Sequence, residues 1–155
     1  KTVGACLSAM DSWLVIRGVK TLALRMEQHQ KNAIALAEWL KKQPKVTKVL
    51  FPGLSEHPGY EINKAQTTGF GGMLSFEVDS EETAKTVLEG IELIQFAESL
   101  GGTESLLTYP VTQTHPDLKP EDAERKGITR RLLRLSVGIE DTDDLIADLE
   151  QAFNK

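Results

Sequence analysis

The side chain whose setting most strongly suggests chemistry is the guanidinium of Arg134. Residues 132–138 read Leu-Leu-Arg-Leu-Ser-Val-Gly. In a β-strand, alternate side chains point to opposite faces, which places Arg134 and Ser136 on one face and their apolar neighbours on the other. A guanidinium among leucines is partly removed from water and favours a planar anion that accepts two parallel hydrogen bonds. We therefore expect Arg134 either to form a structural ion pair with one of the 23 carboxylate side chains or to bind the carboxylate or phosphate of a substrate.

Residues 98–102, Glu-Ser-Leu-Gly-Gly, are the second candidate for a binding site. Two consecutive glycines let backbone amides approach a ligand closely, because no side chain stands in the way. Ser99 adds a hydroxyl, and Glu98 adds a carboxylate that can accept hydrogen bonds from an ammonium group. The same five residues are also typical of a turn between a strand and a loop, so this interpretation stays open beside the functional one.

The remaining residues argue against a metal site and against covalent attachment of a cofactor. The three histidines and the single cysteine do not stand at the spacing of metal ligands, so no metal site is expected. A lysine that forms a Schiff base needs burial or a nearby cation to lower its pKa. Lys20 is the nearest candidate, but it lies on the polar side of a predicted helix. We therefore expect no catalytic lysine in this chain.

A long helix is predicted near the start of the chain. Apolar or weakly polar residues recur at intervals of four and three between Val15 and Leu40, which predicts one helix with a single apolar stripe. Gly18 is expected to bend or split this helix, and Pro44 to end it. The stripe indicates contact with the core of the domain or with another subunit.

The other elements predict the fold class. Strands are expected at 45–51, 73–78, 91–97 and 132–137, with further helices after Ser80, between Pro120 and Gly127, and after Asp141 or Thr142. Short segments separate the strands and their apolar faces alternate, which favours a small, mostly antiparallel sheet of about four strands with helices packed on one side. The predicted fold class is therefore α+β, in a single domain that spans residues 1–155.

Composition excludes several classes of protein. The 155 residues are 40% hydrophobic and 26% charged, as expected of one globular domain. The net charge is −5 and basic residues form no long run, so no nucleic-acid partner is expected. No apolar run approaches the roughly 18 residues of a membrane span. The single cysteine favours a reducing, cytoplasmic setting. Because the chain begins at Lys1 without a methionine, we expect it to be either processed or cut from a longer protein.

Five segments, in the same order along the chain, resemble the transsulfuration enzymes, which are the pyridoxal-phosphate (PLP) enzymes of cysteine and methionine metabolism. They are residues 11–22, 69–73, 97–102, 114–115 and 134–141. The resemblance covers the whole chain and implies the C-terminal domain of a fold-type I PLP enzyme, with residues 1–42 largely the helical segment between two domains. It also implies a homo-tetramer for the full-length enzyme.

The resemblance places the cofactor outside this chain. In such enzymes the catalytic lysine and the residues that hold the PLP phosphate lie in the large domain, upstream of the equivalent of Lys1. The resemblance thus implies no catalytic and no cofactor-binding residue in residues 1–155. We expect the isolated chain to bind no PLP and to be inactive, with the large domain of the same protein as its partner.

The resemblance assigns substrate-binding roles to four residues. Arg134 matches the arginine that binds the α-carboxylate of the amino-acid substrate, Ser99 matches the serine beside it, and Leu100 belongs to the same segment. Glu98 matches a position that varies with the reaction, and glutamate there resembles cystathionine γ-synthases and γ-lyases, although some β-lyases also have it. The implied substrates are cystathionine, or an activated homoserine ester with cysteine, so the reaction stays open between synthase and lyase.

Two other kinds of protein remain as alternatives to the enzyme domain. One is a free-standing, non-catalytic α+β module that binds an anion through Arg134. The other is an oligomerisation module that uses the apolar stripe of the first helix.

Overall fold

The computed structural model describes residues 4–155, which form six helices and five strands. The predicted inter-domain segment, residues 1–42, has its first three residues outside this described range. The helices are α1 (Ala9–Val19), α2 (Leu22–Leu40), α3 (Tyr60–Gln66), α4 (Glu81–Gly90), α5 (Pro120–Arg125) and α6 (Thr142–Phe153). The strands are β1 (Val46–Leu50), β2 (Met73–Val78), β3 (Gln95–Phe96), β4 (Leu106–Thr108) and β5 (Leu132–Ser136).

The helical stretch predicted from Val15 to Leu40 is helical in the structure but is divided between two helices. α1 ends at Val19 and α2 begins at Leu22, so the prediction that Gly18 bends or splits the helix is confirmed. The carbonyl of Gly18 accepts a hydrogen bond from Arg25 Nη2 at 2.8 Å. This side-chain donor satisfies the carbonyl where the regular helical pattern breaks.

The five strands form one sheet in the order β1-β2-β5-β4-β3. All neighbouring pairs are antiparallel except β3 and β4, which confirms a mostly antiparallel sheet. The predicted number of four strands is wrong. β4 gives no alternating pattern in the sequence because all three of its residues are buried.

The strand predicted at 91–97 is too long, since only Gln95 and Phe96 pair with a neighbour. The carboxylate of Asp148 accepts hydrogen bonds from the backbone amides of residues 92–94, at 2.8, 3.1 and 2.8 Å. These amides are therefore not available to a neighbouring strand, and α6, which carries Asp148, takes the place of a strand partner.

The hydrophobic core lies between one face of the sheet and the helices α2, α4 and α6. Leu74, Phe76 and Val78 alternate along β2 with half-buried residues and are themselves buried. They join one cluster with Val87 of α4, Leu149 of α6 and the buried side chains of α2. The alternating pattern therefore leaves the opposite face of the sheet to polar side chains of β2, β4 and β5.

Two buried polar side chains of α2 hold the end of β5. Asn32 Nδ2 donates to the carbonyls of Gly138 and Glu140, at 3.1 and 2.8 Å. His29 Nδ1 lies 2.6 Å from the carbonyl oxygen of Val137. A carbonyl oxygen only accepts, so this ring nitrogen carries the proton. The chain directly after the predicted binding strand is thereby fixed to the long helix.

Candidate functional site

Arg134 lies in the middle of β5, on the face of the sheet that points away from the core cluster. Its backbone neighbours across the sheet are Ser75 on β2 and Thr108 on β4. Its Nη2 donates to Thr108 Oγ1 at 3.2 Å and reaches the carbonyl oxygen of Ser99 at 3.5 Å. The side chain is half-buried, so the guanidinium is partly removed from water, as its sequence setting predicts.

The guanidinium has donors that the described residues do not use. Nε is buried and has no hydrogen-bond partner within residues 4–155. Arg134 also forms no salt bridge with a carboxylate of those residues. The structural ion pair that the sequence left open is therefore not formed in the described part of the chain. A buried N–H without an acceptor costs about 1–3 kcal/mol, more for a charged group, so this donor is suited to an external anion.

The segment 98–102 leaves the edge strand β3 and runs beside Arg134. Ser99 meets Arg134 through its backbone carbonyl, while its side chain, like that of Glu98, is exposed. Gly101 has φ +78°, a conformation that suits glycine. Its amide donates to Ser136 Oγ at 2.9 Å, which holds the segment against β5. The structure thus brings Ser99 to Arg134 and leaves Glu98 facing solvent.

Two small cavities flank this cluster. One of about 160 Å³ is lined by Arg134, Ser75 and Met73 with neighbouring apolar residues. The other, of about 120 Å³, is lined by Leu100, Met73 and His29 together with Ser136. Leu100 is 57% exposed, so it forms an open apolar rim. The cluster can therefore hold a small anion at Arg134, with the rest of the ligand beside the 98–102 segment.

The carboxylate of Glu140 holds the chain that follows residues 98–102. Glu140 accepts hydrogen bonds from the amide and the hydroxyl of Ser105, at 2.6 and 2.8 Å. The hydroxyl of Ser105 in turn accepts from the amide of Gly138 at 2.8 Å. A Cβ on Gly138 would lie 2.4 Å from the carbonyl oxygen of Thr103, so only glycine allows this close approach. Glu140 stands in the 134–141 motif, but no local sequence pattern indicates that Ser105 is its partner.

Thr108 is a residue of the cluster that the sequence pattern did not identify. It is fully buried on β4, in a stretch for which the sequence predicts no strand. The available signal is a hydroxyl residue in Leu-Leu-Thr-Tyr, where its neighbours are apolar. Three residues are too few to establish the period of a strand, so the sequence alone does not identify it.

A larger cavity, of about 690 Å³, lies away from the four predicted site residues. His115, Arg130 and Glu81 are among its lining residues. The hydrogen bond from Lys85, and then the one from Arg130, hold the pKa of the Glu81 carboxyl below its usual range. These cations are therefore already paired with a carboxylate, whereas Arg134 has no such partner in the described part of the chain.

The described residues do not fit covalent attachment of PLP. Every lysine within residues 4–155 is exposed, whereas a Schiff-base lysine relies on burial or a neighbouring cation. The same residues contain no group of three or more histidine, cysteine, aspartate or glutamate side chains placed to hold a metal ion. None of the helices formed by the described part of the chain is long and apolar enough to span a membrane.

Comparison with known proteins relates this arrangement to one family. Residues 1–154 match the family model described as "Cys/Met metabolism PLP-dependent enzyme". The chain is 55% identical over 150 residues to a cystathionine gamma-synthase of Haemophilus influenzae, covering 97% of this chain and 36% of that protein. It is 49% identical over 152 residues to a cystathionine beta-lyase of Bacillus subtilis, covering 98% of this chain and 39% of that protein.

A solved structure has the same fold. The cystathionine gamma-lyase of Lactobacillus plantarum, complexed with L-serine, is 44% identical and superposes with a TM-score of 0.92. The match covers 99% of this chain and 40% of that one. The chain therefore spans about two fifths of the length of the relatives that it matches.

Proposed function

The chain belongs to the family of PLP-dependent enzymes of Cys/Met metabolism, and we propose that it is their C-terminal, substrate-binding domain. In this proposal the full-length enzyme forms or cleaves a carbon–sulfur bond of cystathionine, and this domain binds the α-carboxylate of the amino-acid substrate. The homologues named above include a synthase, a β-lyase and a γ-lyase, so the reaction within this class is left open.

The observation that carries the proposal is the buried Nε of Arg134, which has no hydrogen-bond partner within residues 4–155. A guanidinium that lacks an internal carboxylate partner, and that borders a small cavity, is suited to a carboxylate from outside. A carboxylate accepts two parallel hydrogen bonds from such a fork. Once the carboxylate is bound, the orientation of the substrate's α-carbon is fixed. This orientation would be the main contribution of the domain to the reaction.

Three neighbouring residues complete the proposed substrate site. Ser99 would lie beside the carboxylate, as its 3.5 Å backbone contact with Arg134 supports. Leu100 would form an apolar wall, because it lines the adjacent cavity. Glu98, exposed next to them, would accept hydrogen bonds from the distal ammonium group of cystathionine.

We assign the cofactor to the part of the protein that this chain does not include. The family depends on PLP, and no lysine in the described range is buried. A catalytic lysine in a separate large domain reconciles these two facts. No residue of 4–155 is therefore given a role in holding PLP, and the proposed duties of this domain are binding and orientation.

The helix α1 supports the existence of such a partner domain. None of its residues is buried, although several of them are large and apolar. Trp13, Leu14 and Ile16 are 55%, 51% and 59% exposed. An apolar helix of 11 residues gains little stability in water without tertiary contacts. We propose that the large domain of the same protein covers this helix, as expected of a segment between domains, and that the full-length enzyme is a homo-tetramer.

A product assay on the full-length protein tests this function. Hydrolytic cleavage of cystathionine gives homocysteine, pyruvate and ammonia when the β-carbon–sulfur bond breaks, and cysteine, 2-oxobutyrate and ammonia when the γ-carbon–sulfur bond breaks. A homoserine ester with cysteine gives cystathionine and the free acid. We expect one of these product sets, and an enzyme that yields none of them would overturn the proposal.

A further inference from the structure

Thr108 makes two hydrogen bonds that connect different parts of the site. Its Oγ1 accepts from Arg134 Nη2 at 3.2 Å and donates to the carbonyl oxygen of Ala97 at 2.9 Å. The residue is fully buried, so neither bond is exchanged with bulk water. A threonine hydroxyl has one proton and can accept as well. It is therefore able to serve both partners at once.

A second buried hydroxyl anchors the other end of the same segment. Ser136 lies two residues from Arg134 on β5, is 2% exposed and accepts from the amide of Gly101 at 2.9 Å. Ala97 and Gly101 bracket the segment 98–100, which contains the other proposed substrate-binding residues. Both of its ends are thus tied to strand residues that flank the arginine.

We propose that Thr108 is a positioning residue for the substrate carboxylate, an inference that rests on the function proposed above. Thr108 Oγ1 accepts a hydrogen bond from Nη2 and so limits the rotation of the guanidinium, while the N–H of Nε can donate to the ligand. The same hydroxyl fixes Ala97, which leads directly into Glu98 and Ser99. The arginine and the loop that faces it are therefore held in one geometry by a single hydroxyl group.

The hydroxyl, rather than the shape of the side chain, carries this role. Valine has nearly the same shape as threonine, so Thr108→Val leaves the packing of β4 in place. It deprives Arg134 Nη2 of an acceptor and the carbonyl of Ala97 of a donor. Because the guanidinium then loses the contact that limits its rotation, we expect KM to rise about tenfold, which corresponds to about 1.4 kcal/mol of binding free energy. We expect kcat to change less, because the carboxylate is bound before the chemistry begins.

The experiment measures kcat and KM of the full-length holoenzyme with cystathionine, or with the homoserine ester and cysteine if it proves to be a synthase. Thr108→Val is compared with Thr108→Ser, which keeps the hydroxyl and should stay within about threefold of the parent. Thr47→Val is the matched control. The Thr47 hydroxyl also donates to a backbone carbonyl, that of Glu77, at 3.1 Å. Because Thr47 lies on the edge strand β1, its replacement by valine should leave kcat and KM unchanged.

A double-mutant cycle with Arg134→Lys separates positioning from simple destabilisation. If Thr108 acts through the guanidinium, Thr108→Val should add little to the loss that Arg134→Lys already causes. Additive losses, or equal losses in Thr108→Ser and Thr108→Val, would overturn the positioning role. An unchanged KM in Thr108→Val, with a raised KM in Arg134→Lys, would overturn this inference alone.

Two further outcomes are informative. An Arg134→Lys enzyme with unchanged KM would instead refute the carboxylate site on which the inference rests. If Thr108→Val does not fold, Thr108→Ala takes its place in the cycle. Failure of both to fold would show that the hydroxyl supports the fold itself and would overturn the positioning role.

Discussion

Replacing Arg134 by lysine should damage the full-length enzyme far more than the retained charge suggests. Lysine keeps a positive charge but loses the planar fork, and its ammonium group cannot reproduce the buried Nε donor that has no partner within residues 4–155. Two charge-assisted hydrogen bonds to the substrate carboxylate contribute roughly 1.5–3 kcal/mol each. Their loss should lower kcat/KM by about two to four orders of magnitude, since about 1.4 kcal/mol is tenfold.

The assay is steady-state kinetics of the holoenzyme, with its PLP content measured by absorbance and its unfolding midpoint measured beside the parent. Most of the loss should appear in KM, and PLP content should not change. Arg131→Lys is the matched control, because Arg131 lies just before the same strand but is exposed and paired with Glu77 at 3.7 Å. Near-normal kinetics of Arg134→Lys would refute the reasoning. A variant that merely unfolds would point to a structural arginine instead.

Four further predictions concern Glu98, Asp148, Glu56 and the lysines of the isolated chain. Glu98→Ala should weaken cystathionine more than a substrate without the distal ammonium, and equal losses of kcat/KM would remove this assignment. Asp148→Ala removes the acceptor of the three amides of residues 92–94 and should lower the free energy of unfolding by about 3 kcal/mol, measured by urea denaturation. The hydrogen bond from Lys41 lowers the pKa of the Glu56 carboxyl, so this pair stabilises the fold above the carboxyl's unfolded pKa and loses that effect as pH falls through the folded pKa. Glu56→Gln should therefore have a lower unfolding midpoint than the parent at pH 7, the difference being small because both groups are exposed, and the gap should close in acid. The isolated chain should form no borohydride-stable adduct with PLP, and a modified lysine found by mass spectrometry would contradict this.

The elements that could be predicted from sequence have either a full period of buried residues or residues at their ends that start and stop a helix. β2 was predictable over its whole length, residues 73–78, because buried and half-buried residues alternate along it. α5 followed from Pro120 at its start and Gly127 just beyond its end. β4 could not be predicted, since three consecutive buried residues have no period, and the shortness of β3 depends on Asp148, which is more than 50 residues away in the chain.

The site was predictable in its residue types but not in its contacts. The leucines around Arg134 correctly indicated a half-buried guanidinium, whereas the lack of a carboxylate partner among residues 4–155 depends on which strands lie beside β5. Ser99 was expected to offer its hydroxyl, yet its contact with Arg134 is made by the backbone carbonyl. The hydrogen bond from Arg134 to the Thr108 hydroxyl depends on the pairing of β4 with β5, which cannot be predicted from a local sequence pattern.

The sheet order has a consequence for how the two sides of the site respond to thermal fluctuation. Arg134 lies on β5, the central strand, which is hydrogen-bonded on both edges, whereas the segment 98–102 follows β3, a two-residue strand at the sheet margin. Local opening requires less free energy where few backbone hydrogen bonds must break. Residues 98–100, between the two anchored ends at Ala97 and Gly101, can therefore move while Arg134 stays in place. Amide hydrogen exchange should be fast at residues 98–100 and slow along β5, so a ligand can enter without any movement of Arg134.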